Sequence, residues 1–169
     1  MDKALPPIWM IFVMPTYLPI VWLVDMLLVS AIVMLSLKAM KKEPINEYYK
    51  RCIIKVWIFT YIAQLIGAIA MSMSAVIDFL LPQGSTIKDF WFKYVTNFIA
   101  YNPLASLPAA TFALIALIIS GVLIYLFNYN FAFKKTELNH GARKRISLAL
   151  TLFASPYIFL IPTVFLFGK

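Results

Sequence analysis

Asp25 is a carboxylate inside an otherwise apolar run, VWLVDMLLVS at residues 21–30, and Asp78 lies near the end of a second such run that also contains Gln64. Two carboxylates close enough to share a proton or a water can do hydrolytic chemistry. A single carboxylate in an apolar layer marks instead an ion route or a buried hydrogen bond. The remaining catalytic patterns are missing, since the sequence has no HExxH, glycine-rich phosphate loop, GxSxG or CxxC. The one histidine, His140, stands beside Gly141 with no second ligand or nucleophile near it in sequence, and reads as a solvated turn residue. Cys52 is the one cysteine, so no intrachain disulfide forms. A non-catalytic protein without metal or cofactor is expected.

Whether Asp25 and Asp78 can meet depends on the elements that carry them. Of the 169 residues, 63% are hydrophobic and 13% charged, against about 25% charged in soluble domains. Four segments reach the roughly 20 apolar residues that span a bilayer: residues 17–37, 54–79, 108–130 and 146–167. The chain therefore reads as one all-α, polytopic membrane domain over 1–169, without internal repeats. The start MDKALPPIWM lacks the basic region of a cleavable signal peptide.

Depth then follows from the helical rise of about 1.5 Å per residue, counted from the nearest inner basic residue. Asp25 lies about 20 Å above Lys38, Gln64 about 14 Å above Lys55, Ser120 about 21 Å above Lys134 and Ser155 about 15 Å above Arg145. These four are the expected intramembrane polar network. Asp78 lies about 35 Å above Lys55, some 15 Å from the depth of Asp25, which is too far for a shared proton. An unpaired ionised carboxylate in lipid costs at least about 2.5–3.5 kcal/mol, so Asp25 must be neutral, solvated or paired with a cation. The expectation is that protonated Asp25 bonds to Gln64 across helices. Pro156 removes the backbone donor that the Leu152 carbonyl would use.

Charge orients the chain. Eleven of the 15 Lys and Arg fall in two connections, Lys38 to Lys55 and Lys134 to Arg145, and the three glutamates there leave the whole formal charge of +8 on that side. Short basic connections stay in the cytoplasm, which predicts an inner-membrane protein of a prokaryote with both termini outside. Lys41, Lys42, Arg143, Lys144 and Arg145 form the expected docking face for an acidic cytosolic protein or anionic lipid. Nucleic acid is not needed to explain them. Pro44 suits the first turn of a helix, and Asn139-His140-Gly141 reads as a helix stop with a left-handed glycine cap.

The outer side is aromatic. In TIKDFWFKYVTNFIAY, residues 86–101, Ile87, Phe90, Trp91, Tyr94, Val95 and Phe98 recur at helical spacing, predicting an interfacial amphipathic helix on which Phe90, Trp91, Tyr94 and Phe98 meet the bilayer surface. A bend at Pro15 or Pro19 would lay residues 7–14 along the same surface. Small residues form two further stripes, Ala63, Gly67, Ala70 and Ser74 on the second helix and Ala109, Ala113, Ala116 and Ser120 on the third. Such stripes let helix backbones approach closely in lipid, and they suggest packing within the chain and a homo-oligomer.

Two function classes follow: a membrane sensor or anchor that recruits a partner through its basic face, or a channel or transporter subunit with Asp25 and Gln64 in a cation or proton path. In size, helix count and basic inner face the chain is similar to the small four-helix subunits that prokaryotic defence modules such as Kiwa pair with a cytosolic effector. That likeness implies a role in a defence or stress module.

Overall fold

The structure is a computed structural model that describes residues 7–163, all in helices, turns and connections with no strand among them. A 3-10 turn, Ile8–Phe12, precedes α1 (Leu18–Ala39), whose Pro19 occupies a first-turn position where its missing N–H is harmless. α2 (Ile45–Leu80) has 36 residues and is therefore about 54 Å long. It starts directly after Pro44, so the amphipathic stretch INEYYKRC belongs to the same helix as the apolar run. Ser85 caps α3 (Thr86–Trp91) by accepting a bond from the Lys88 amide at 3.2 Å. A π-helical turn, Phe92–Thr96, continues into α4 (Asn97–Tyr101), so residues 86–101 are helical throughout. α5 (Leu107–Phe127) runs on through the π-helical turn Asn128–Ala132, and α6 (His140–Phe153) completes the packing.

Among the described residues, three helices are long and apolar enough to cross a membrane: Leu18–Ala39, Ile45–Leu80 and the stretch Leu107–Ala132. The expected fourth span, 146–167, takes another form. α6 begins earlier, at His140, and ends at Phe153; its 14 residues cover about 21 Å, short of a hydrocarbon core of about 30 Å. Pro156 follows, and the chain resumes as a 3-10 turn, Tyr157–Leu160. The last part of the expected span, 164–167, lies outside the described residues.

Asn139 also differs from expectation. It opens α6 rather than stopping a helix, its Oδ1 accepting the Ala142 amide at 2.9 Å, and Gly141 lies inside the first turn.

The apolar interior falls into two clusters. At the end that carries the basic connections Val29, Val33, Leu37, Val56, Ile124, Phe133, Ile146 and Leu150 pack together. At the opposite end Trp9, Phe12, Met71, Val95, Ile99, Ala113 and Phe159 do so. Trp9 donates through Nε1 to the Ile99 carbonyl at 3.2 Å, and the Thr163 amide reaches the Tyr101 carbonyl at 2.8 Å, so the first 3-10 turn, α4 and the last described residues close one end. The segment from residue 8 is thus part of the core, with Ile8, Trp9 and Phe12 buried, rather than laid on the surface.

Along the flanks the pattern reverses. Ile20, Leu23, Leu27 and Leu35 of α1 and Ile118 of α5 are each more than 60% exposed, so both helices carry large apolar side chains on their outer faces.

Candidate functional site

Asp25 and Gln64 meet at the seam between the two clusters. Gln64 Nε2 donates to Asp25 Oδ1 and to the Ala154 carbonyl, each at 2.9 Å. Both neighbours of that nitrogen are acceptors, which fixes the orientation of the amide. Asp25 Oδ2 and Gln64 Oε1 are buried and have no hydrogen-bond partner among the described residues.

The Ala154 carbonyl is available because α6 has ended. Breaking a helix strands its last carbonyls, and three of them find side-chain donors here. Tyr157 Oη donates to Leu152 O at 2.5 Å, taking the acceptor that Pro156 leaves open, and Ser155 Oγ donates to Thr151 O. Gln64 takes Ala154.

This pair forms the floor of a cleft of about 410 Å³ between α1 and the α6 break, walled by Phe12, Val21, Leu28, Phe153 and Tyr157 among others. Ile20 and Val24 stand at its exposed rim.

The other two members of the expected polar network do not bond to the pair. Ser120 Oγ donates to the Ala63 carbonyl at 3.0 Å, stitching α5 to α2, and Ser155 lines the cleft but bonds within its own turn. Asp78 is carried by α2, 14 residues beyond Gln64 and hence about 21 Å along the helix from the floor. The two carboxylates do not meet, and no shared-proton dyad forms. A second buried polar pair was missed in the sequence. Asn128 Nδ2 donates to Thr60 Oγ1 at 3.1 Å and to Ile124 O at 2.8 Å, one α2 turn inward from Gln64. An amide inside the run 108–130 was the signal, because its polar atoms require partners there.

The small-residue stripes face each other. A Cβ on Gly67 would lie 2.9 Å from the Ser120 Cβ and 2.9 Å from a Phe159 ring carbon. Ala63, Ser74, Ala109, Ala113 and Ala116 are buried, while Ala70 sits half-buried at the edge of the same seam. The stripes are used within one chain, so the homo-oligomer loses the observation that suggested it.

On the aromatic helix the expected surface set divides. Trp91 turns inward, donating through Nε1 to the Ser74 carbonyl at 3.0 Å and meeting Phe112 edge-on, and Phe98 is half-buried with it. Phe90 and Tyr94 face out, their rings 5.1 Å apart.

The two basic connections lie at one end. Arg51 Nη1 donates to Glu137 Oε1 at 2.9 Å, tying the start of α2 to the connection before α6. Glu47 adds a longer contact at 3.8 Å. Between the end of α1 and the start of α6 lies a pocket of about 420 Å³ lined by Lys41, Lys42, Asn139, Gly141 and Arg145. Lys41 has φ of 50°, a left-handed conformation uncommon outside glycine.

The expected docking residues divide here too. Arg143 is committed to the fold, donating to the Leu138 and Thr136 carbonyls at 2.9 Å each. Lys144 is exposed but does not line the pocket.

No family model, curated protein or solved structure matches this chain. The likeness to four-helix subunits is left without support for its helix count, since three helices among the described residues reach spanning length.

Proposed function

We propose that this is a non-catalytic integral membrane protein, an anchor or sensor whose basic cytoplasmic end binds anionic lipid headgroups. The observation that carries the reading is the inner pocket, where Lys41, Lys42 and Arg145 surround the N-terminus of α6. Backbone amides and the helix dipole favour an anion at such a terminus, and three cations add charge that low salt strengthens. α1 fills a bilayer core with its 22 residues, about 33 Å. Lys41 and Lys42 then follow at the level of the headgroup phosphates. Lipid on the flanks would also account for the exposed apolar cover on α1 and α5.

The test is native mass spectrometry of the purified protein offered phosphatidylglycerol and phosphatidylcholine. The wild type should retain the anionic lipid selectively, and Lys41→Glu/Lys42→Glu/Arg145→Glu should lose that selectivity. Reversal of the same charge at Lys50, Lys134 and Lys144, away from the pocket, should keep most of it. Equal losses from the two triple variants would reduce the pocket to diffuse attraction. Preferred capture of an acidic cytosolic protein over lipid would favour the partner-recruiting form of the same reading.

A second reading, a cation or proton path through Asp25 and Gln64, draws on the Asn128–Thr60 pair one turn inward. Ion flux from the pure protein in liposomes, abolished by Asp25→Asn, would favour it.

A further inference from the structure

We infer that the cleft beside α1 is a binding site for an amphiphile bearing a primary amine, with the amine on Asp25 and Gln64 and the apolar body along the cleft wall. The floor sets the head group. Asp25 is 6% exposed and Gln64 is 3% exposed, both line the cleft, and each has a buried oxygen with no partner among the described residues. An ionised Asp25 leaves two acceptors waiting for donors; a neutral Asp25 presents a proton on Oδ2 and leaves Gln64 Oε1 waiting. A primary amine answers both states, because proton transfer between it and the carboxyl group leaves the pair neutral overall. As an ammonium it donates to both oxygens and supplies the countercharge that no Lys or Arg among the described residues lining the cleft provides.

The walls set the body. The cleft of about 410 Å³ falls within the range of roughly 300–1,000 Å³ typical of small-molecule sites. Apart from the floor, its walls are almost wholly side chains such as Phe12, Val21, Leu28 and Phe153. Its rim, Ile20 at 65% and Val24 at 59% exposure, belongs to the apolar flank of α1. Access from the bilayer rests on the membrane reading above, whereas binding in detergent does not, and neither depends on the basic pocket between α1 and α6.

The experiment titrates the full chain in non-ionic detergent with dodecylamine and, separately, dodecanol, scoring bound adducts by native mass spectrometry. Dodecylamine should bind about tenfold or more tighter than dodecanol, the difference expected for one charge-assisted hydrogen bond in an apolar site. Asp25→Asn, which keeps the shape and the bond from Gln64, should abolish that preference. Val24→Trp at the exposed rim should block both probes without touching the floor. Equal binding of the two probes, or an amine preference that survives Asp25→Asn, would overturn the assignment and leave a groove that holds acyl chains.

Discussion

Gly67 is the residue at which α2, α5 and the chain after α6 come together. An alanine methyl there would collide with the Ser120 Cβ and the Phe159 ring, both at 2.9 Å. Ser120 is pinned by its bond to the Ala63 carbonyl, and Phe159 is fully buried, so neither neighbour yields easily. Gly67→Ala should therefore destabilise the protein by about 1–3 kcal/mol, the usual range for overpacking, in spite of alanine's better helix propensity. Gly141 is the control. Its nearest contact would be the Asn139 Oδ1 at 4.0 Å, so Gly141→Ala should gain up to about 1 kcal/mol from propensity alone. Thermal unfolding of both variants in one detergent would compare them, and loss of stability in Gly141→Ala would refute the propensity argument. Gly67 and Ser120 were legible as members of the two stripes. Phe159 was not, because its place depends on a turn after Pro156 that no spacing within α2 or α5 encodes.

At the scale of elements, the long periodic segments were the most legible. The helix over 86–101 followed from local period, but its buried side did not: both flanks of the stripe are aromatic, and only packing against Ser74 and Phe112 turns Trp91 inward. The α6 break was legible as a residue and misjudged as an element. Pro156 was known to strand the Leu152 carbonyl, yet hydropathy alone runs straight through it. In the structure Tyr157 supplies the missing donor, and this predicts a coupling. Tyr157→Phe should cost about 0.5–1.5 kcal/mol, the net worth of one hydrogen bond. In the Pro156→Ala background residue 156 regains an N–H that can serve Leu152, so the same change should cost less than half as much. The double-mutant cycle is read from unfolding free energies in detergent. Additive effects would mean that the phenol does not replace the lost backbone bond.

At the scale of the whole molecule, the two basic connections share one end, and the aromatic helix with residues 8–12 closes the other. Charge alone had paired the connections, since helices that cross and return must bring alternate connections to one side. The tie from Arg51 to Glu137 expresses that pairing in side chains, although both side chains are at least half exposed and such pairs contribute about 0–1 kcal/mol. The membrane reading makes a sharper claim, that the two ends lie in different compartments. Two probes suit the claim: Lys135, exposed between α5 and α6, and Gln83, exposed in the turn before α3. Cys52, 1% exposed and bonded to the Tyr49 carbonyl, should react slowly, and Cys52→Ala removes it from the background. In oriented membrane vesicles of that background, a membrane-impermeant maleimide added outside should label Gln83→Cys at once and Lys135→Cys only after permeabilisation. The proposal puts the basic connections on the cytoplasmic side, so the opposite pattern would invert the protein and move the basic pocket away from the leaflet it is proposed to bind. Equal labelling of both sites in sealed vesicles would remove the spanning arrangement itself, and with it the reason for α1 and α5 to display leucine and isoleucine along their flanks.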